Sequence, residues 1–392
     1  MDFDVVIVGG GLAGLAVAVA LKRSRLSIAV IESEAPVRPY DWDARIYAIS
    51  SSNADFLRQV GIWDELDASR IAQVRAMEIH GDAGGHLEFS AYDSGLSELA
   101  WIVESSAIRC ELRETARRQG NVTMLCPARP SQLLIDTQSA RLTLADGRTL
   151  SARLVVAADG ADSWTRSAAG IEVAFKAYGE LAVVANFACE LPHRDTAFQW
   201  FRRDGVLAYL PLPGNLVSIV WSTPEQHGRE LMALGANEFC QRVADAGGRR
   251  VGALSLLTAP AAFPLRLMRA PRSVDVRLAL VGDAGHAIHP LSGHGINLGF
   301  QDARVLAEVL MACSDHVDCG DLIVLRRFER ARKEEVVALQ SATDALQGLF
   351  AKPGRPWSLL RNAGLNLTQH LPLLKDMLVR YAAGYTPTRR HS

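Results

Sequence analysis

The sequence predicts an α/β fold that becomes α+β in its second part. A parallel-sheet unit is interleaved with a mostly antiparallel sheet domain, and helices follow at the C-terminal end. Three observations predict it. A β-branched run at residues 5–8 leads through a glycine-rich turn into a long apolar stretch, the start of a strand–helix–strand unit whose strands are buried on both faces. Two more apolar runs, 154–158 and 278–281, lie far downstream, each ending beside an Asp and a Gly. Between them, apolar and polar residues alternate in "LAVVANFACEL" and "LVSIVWS", as in strands with one covered face.

The bulk numbers set limits. With 392 residues, 49% hydrophobic and 22% charged, the chain can build a substantial core over two interleaved domains and is not disordered. Lys and Arg number 42 against 43 acidic residues, so no global field recruits nucleic acid. Cys110, Cys126, Cys189, Cys240, Cys313 and Cys319 show no C-x-x-C spacing, which reads as reduced thiols in a cytoplasmic protein. Cys313, His316 and Cys319 fit no zinc spacing. Residues 5–21 are all apolar or Gly, yet Asp2 and Asp4 precede them where a leader carries Lys or Arg, and glycines interrupt them. A strand, a turn and a helix account for this segment, and no integral membrane span is expected.

The first turn, "VIVGGGLAGLA", carries Gly9, Gly11 and Gly14 in G-x-G-x-x-G spacing. The first allows a tight turn, the second a close approach of backbone to a diphosphate, and the third close helix–strand packing. The amides of Leu12, Ala13 and Gly14 then open a helix whose positive end favours phosphate. A second strand at 27–31 ends at Glu32, where a carboxylate can accept ribose hydroxyls. The unit is a Rossmann-like dinucleotide site. It leaves NAD and FAD both open.

Two later stretches narrow the choice. "ADGADSWTR" holds Asp159, Gly160, Ser163 and Arg166; "GDAGHAIHPLSGHGIN" holds Gly282, Asp283 and Pro290. Together with the first turn they resemble the three ordered motifs of the FAD-dependent aromatic hydroxylases, the single-component flavoprotein monooxygenases. "DARIYAISSSNADFLRQVGIWDEL", "GVLAYLPLPGNLVSIVWS" and "RNAGLNLTQHLPLLKDMLVRYAAG" are similar to a narrower group, the hydroxylases of ubiquinone biosynthesis, which oxygenate the ring of a polyprenylated phenol or quinol.

The resemblance implies a tightly but non-covalently held FAD, NAD(P)H as a transient electron donor, and O2 as co-substrate activated at the flavin C4a carbon. No second G-x-G-x-x-G follows a later strand, so no separate nicotinamide domain is expected, and no side-chain nucleophile is named. By resemblance, Asp283 holds the ribityl or ribose end, and Arg45 lies along the flavin or its phosphates. Asp159 and Arg166 lie near the diphosphate and the donor. Pro290, Leu291, Gly293 and His294 face the flavin, followed by the amides of Gly295, Ile296 and Asn297. Two departures stand out. Ser105-Ser106 replace an Asn-Arg pair common in relatives, with Arg109, one helical turn on, as the candidate substitute; His294 stands where relatives carry Gln.

His286, His289 and His294 also raise a metal reading. The irregular Pro- and Gly-containing loop gathers no helical face for them, so no metal is expected, and His286 and His289 read as packing and loop hydrogen-bond residues. A protonated His294 near reduced flavin would tune it with pH.

The FAD domain is expected over 1–70, 101–175 and 268–340, and the substrate sheet over 71–100 and 176–267, with a helical segment at 341–392. Trp200, Phe201, Tyr209 and Trp221 read either as pocket lining or as core. Leu371, Leu373, Leu374, Leu378 and Val379, with Lys375 and Arg380, read as a surface for lipid or a biosynthetic partner, or as a helix capping the FAD domain. A prenylated substrate makes peripheral association with the inner membrane face an expectation. The alternatives are a hydroxylase of a soluble phenol or secondary metabolite, an FAD-dependent prenyl reductase, and a non-catalytic flavin-bearing scaffold.

Overall fold

The computed structural model describes residues 1–37, 39, 41–287, 295–314, 316–351, 355–371, 375–376, 378–379 and 384. His289, Pro290, Leu291, Gly293 and His294, and Leu373, Leu374 and Arg380 of the C-terminal segment, lie outside the described residues. The helices referred to below are α1 (Leu12–Ala20), α2 (Ser51–Gln59), α3 (Ser105–Arg118), α4 (Trp164–Ala168), α5 (Glu225–Met232), α6 (Ala236–Ala246), α7 (Gly295–Met311), α8 (Leu322–Ala351) and α9 (Arg355–Gln369).

The parallel sheet runs, in spatial order, Leu278–Leu280, Thr149–Ala157, Phe3–Val8, Ile28–Ile31 and Val122–Leu125. Its central strand is buried on both sides: Val5 and Ile7 pack with α1, α3 and α7, while Val6 and Val8 pack with Leu142, Leu144 and Leu280. This is why the run reads as continuously apolar. Chain order and spatial order diverge sharply here, because the strand at 278–280 is laid beside one made more than a hundred residues earlier.

The second sheet is mostly antiparallel. Ala261–Arg269, Ala174–Cys189, Leu216–Pro224, Gly205–Leu212, Thr196–Arg202, Ala76–His80 and His86–Ser90 succeed one another across it. Alternation gives each strand two different faces. Val183, Ala185, Phe187, Leu207, Tyr209, Ile219 and Trp221 turn toward Leu231 of α5 and Phe239 and Val243 of α6. Tyr209 and Trp221 are therefore core, and the pocket-lining alternative for them is set aside; the Tyr209 hydroxyl donates to the Val243 carbonyl at 2.6 Å. Trp200 packs against the same cluster. The opposite face meets the parallel unit, where Asn186 Nδ2 donates to the Asp43 carbonyl at 2.9 Å. A small sheet, Ile46–Ser50, Ala100–Glu104 and Ala72–Val74, is wedged between the two, with Ile46, Ala72, Val74 and Ile102 packed on Ala197 and Leu212.

At the C-terminal end, α8 touches both units. Arg332 reaches α7, Gln340 Nε2 donates to the Met268 carbonyl at 2.8 Å, and Lys176 Nζ donates to Asp344 at 2.5 Å. The next helix, α9, lies on the edge strand His86–Ser90 and against α8. There Asn362, Asn366 and Gln369 side-chain oxygens accept from the amides of Gly85, His86 and Glu88 at 2.6, 3.0 and 2.8 Å. Spacings of four and three place these side chains on one helical face, and they satisfy a sheet edge that would otherwise template further pairing. Asn362 is only 5% exposed. Asn362→Ala is expected to cost about 1–3 kcal/mol and to speed amide exchange at Ala83 and Gly85, whose amides donate to its side chain, as hydrogen-exchange mass spectrometry can check.

All six cysteines are free thiols. Among the described residues no helix is long and apolar enough to cross a membrane, and no three His, Cys, Asp or Glu side chains are grouped to hold a metal ion.

Candidate functional site

The glycines of the first turn divide by role. A Cβ on Gly9, whose φ is +108°, would lie 2.3 Å from the Ala158 carbonyl oxygen, and one on Gly14 would lie 2.1 Å from the Gly9 oxygen. Both positions are closed by backbone. Gly11 has nothing within 4 Å of its would-be Cβ, so the backbone there borders open space. It is also the N-cap of α1 and supplies no side-chain cap. The first amide bonded inside the helix is that of Leu15, to the Gly11 carbonyl at 3.0 Å. The Leu12, Ala13 and Gly14 amides thus form an uncapped, positive helix end.

Glu32 closes one side of this turn. Its Oε2 accepts from the Gly10 amide at 2.8 Å and from Arg109 Nη2 at 3.1 Å, while Arg109 Nε donates to the Gly10 carbonyl at 3.1 Å. Helix α3 thus brings Arg109 to the first glycine turn. Ser106, from the departing Ser105-Ser106 pair, donates its amide to Asp43 Oδ2 at 3.0 Å.

The second motif works chiefly as a scaffold. Asp159 accepts from the Ser163 hydroxyl and from the amide and hydroxyl of Thr165, each of these two at 2.9 Å, which fixes the start of α4. That places Arg166, 2% exposed, where its Nη1 donates to the Ala284 carbonyl at 2.9 Å. Its Nε is buried with no hydrogen-bond partner in the described structure.

The third motif is held from the other side as well. Asp302 of α7, 1% exposed, accepts from the Gly282 amide at 2.9 Å, lies 2.6 Å from His286 Nε2, and accepts from Arg332 Nε at 2.7 Å. Arg332 also donates to Gln301 at 3.1 Å and to Glu335. His286 is therefore a buried hydrogen-bonding residue, as its place in the loop suggested. Arg166 and Asp302 grip the turn at 282–284 between them and leave Asp283 free. Asp283 is exposed to solvent, yet burial among surrounding atoms pushes its carboxyl above its ordinary value, with His286 and Arg45 pulling it back. Accessible and crowded at once, it sits on the floor of a recess. Arg45 borders the same recess, its guanidinium 4.3 Å from the Phe263 ring centroid on the antiparallel sheet.

Asn297 proves to be a tie. Its Nδ2 donates to the Ala48 carbonyl at 2.8 Å and its Oδ1 accepts from the Ser50 amide at 2.9 Å and Asn53 Nδ2 at 3.0 Å. Its side chain thus locks the start of α7 to α2 and the small sheet. The described part of α7 opens at Gly295 and Ile296, and the start of a helix favours anions.

These features fit a flavin dinucleotide. Open space borders Gly11 and an uncapped helix end stands beside it; an acid closes the second strand, a buried guanidinium nitrogen lacks a partner, and an accessible carboxylate lies on a recess floor. Sequence reasoning missed Asp302, Arg332 and Gln301. The one available signal was an acid inside the otherwise buried stretch "GFQDARVLAEVL", since a buried charge demands a partner.

Comparison with known proteins agrees with this geometry. The model of the FAD binding domain family matches residues 2–318, and that of squalene epoxidase matches residues 260–388. The chain is 35% identical to ubiquinone hydroxylase UbiL of Rhodospirillum rubrum, over 97% of this chain and 89% of that protein. It is 32% identical to 3-demethoxyubiquinol 3-hydroxylase of Escherichia coli (97% and 98%) and 31% identical to human ubiquinone biosynthesis monooxygenase COQ6 (97% and 92%). In fold it matches Pseudomonas aeruginosa PqsL in complex with 2-aminobenzoylacetate, with TM-score 0.80 and 24% identity over 93% of this chain and 99% of that one. It matches Pseudomonas putida p-nitrophenol 4-monooxygenase PnpA equally, with TM-score 0.80 and 18% identity over 98% and 99%. On the span of the domain match and the identity to full-length relatives, the chain belongs to the FAD-dependent monooxygenases, in the branch of the ubiquinone hydroxylases.

Proposed function

We propose that the protein hydroxylates the aromatic ring of a polyprenylated phenol or quinol on the route to ubiquinone, with FAD, NAD(P)H and O2. The observation that carries this reading is the near-full-length identity to enzymes named for ubiquinone hydroxylation in both bacteria and animals. The residues that would hold FAD are Glu32 and Arg109 at one end, and the Leu12–Gly14 amides with Arg166 near the diphosphate. Asp283 and Arg45 would follow along the recess, with the α7 amides at Gly295–Asn297 beyond. When bound, the flavin supplies electron transfer from the nicotinamide and oxygen delivery to the ring.

The rest is the work of this chain. Asp302 and Arg166 fix the turn so that Asp283 can accept hydrogen bonds without rearranging, and such preorganisation spares reorganisation during reaction. The face of the antiparallel sheet bearing Ala182, Val184 and Asn186 is tied to the parallel unit through Asp43 and would roof the recess, where excluding water strengthens every polar contact. Leu367, 63% exposed, and Leu371, on and just beyond α9, give the C-terminal segment apolar surface for peripheral contact with a membrane that stores the substrate.

The test is mass spectrometry of the quinone pool in bacterial hosts that each lack one ring-hydroxylation step, with this chain supplied. Return of ubiquinone in a host fixes the substrate class and ring position together. Failure in every host, with a purified yellow protein that oxidises NAD(P)H in the presence of a soluble phenol, transfers the assignment to the soluble-aromatic reading.

A further inference from the structure

Tyr47 belongs to none of the three motifs, yet the fold brings it between the third motif and the start of α3. On the strand Ile46–Ser50, alternation sends Ile46 and Ala48 toward the antiparallel sheet, and Tyr47 and Ile49 toward the core of the parallel unit. There Tyr47 is half-buried. Burial is the main influence on its phenol and pushes it above its ordinary value, so the hydroxyl keeps its proton across the neutral range. The charged and polar groups that act on the phenol are Arg45, Asp283, Ser105 and Asp43; Tyr47 pairs with Val103 on the neighbouring strand, and the Ser105 amide donates to the Arg45 carbonyl at 3.0 Å.

These neighbours locate it. Asp283 is the free carboxylate on the recess floor. Ser105 begins α3, and one turn further the same helix presents Arg109 to Gly10 and Glu32. Arg45 leads across to Phe263 of the roofing sheet. The phenol thus stands between the two ends of the recess, with a proton to donate and part of its surface uncovered.

We infer that Tyr47 is a cofactor contact, forming the wall of the recess between the Asp283 turn and the first turn of α3. This rests on the assignment of the recess to FAD. Tyrosine in contact with an excited flavin quenches its fluorescence by electron donation, and phenylalanine does not. A hydroxyl-to-cofactor hydrogen bond also contributes to affinity.

The experiment compares the parent with Tyr47→Phe and Tyr47→Leu. FAD affinity is read by titrating apoprotein, the flavin fluorescence lifetime is read on each holoenzyme, and a melting curve of each apoprotein checks folding. Tyr47→Phe is expected to melt as the parent does, to bind FAD about 3- to 10-fold more weakly, and to lengthen the lifetime. Tyr47→Leu should lengthen it equally and weaken binding further. A lengthened lifetime at parental affinity still places the ring against the flavin and supports the contact. A parental lifetime in Tyr47→Phe overturns it, whatever the affinity does. If the parent itself binds no FAD, the assignment of the recess fails first, and the contact fails with it.

Discussion

Asp302→Ala is expected to lower stability by about 3–5 kcal/mol, the cost typical of removing one partner from a buried ion pair. The change leaves the Arg332 guanidinium without its main counter-charge and orphans both the Gly282 amide and His286. Glu335 and Gln301 remain on Arg332 and keep the loss from growing larger. Urea unfolding of the holoprotein, parent against variant, gives the number. A loss below about 1 kcal/mol would put this cluster among ordinary surface pairs and remove it from the account of the site. The same carboxylate gives an acid signature. Burial opposes its charge, but His286 and Arg332 outweigh burial and hold it below its ordinary value. On acidification the unfolded chain therefore takes up the proton first. The stabilisation is complete above the ordinary carboxylate range and drains away as pH falls through the lower native value. Asp302→Asn should flatten that part of the stability–pH curve.

Gly11→Val should abolish useful FAD binding while leaving the fold standing. Its would-be Cβ meets nothing, its φ of −78° is open to any residue, and valine at an N-cap is worse than glycine by only about 1 kcal/mol. A branched side chain there fills the space through which the α1 amides face a diphosphate. An affinity loss of at least about 100-fold, near 2.7 kcal/mol, is expected in an apoprotein titration, with a near-parental melting curve. Gly14→Val makes the contrast. A Cβ there meets the Gly9 oxygen, so that variant should lose its fold along with its cofactor. Parental FAD affinity in Gly11→Val would mean that the dinucleotide does not pass this turn.

What the sequence reveals follows from how far apart the cooperating residues lie. The first turn and Glu32 were legible because they are neighbours in one strand–helix–strand unit, where spacing alone fixes geometry. Asp302 and Arg332 come from two different helices, and no periodicity announces which buried charges will meet. Alternation identified the antiparallel strands but could not tell which face meets the parallel unit. Tyr209 and Trp221 therefore stayed ambiguous until α5 and α6 were seen to cover them. The polar spacing of Asn362, Asn366 and Gln369 was present in the sequence, yet its target, a strand edge some 280 residues earlier, was not.

The clamp on the 282–284 turn also bears on the order in which the newborn chain matures. Every glycine of the first motif leaves the ribosome within the opening residues, and domains generally fold as they emerge. The sheet they serve still lacks the strand Leu278–Leu280, and the Asp302 carboxylate lacks Arg332, until most of the polypeptide has been made. The clamp is thus completed only in the last stage of synthesis. A message truncated before α8 would yield a protein bearing all three signature motifs with the Asp302 carboxylate lacking its Arg332 counter-charge.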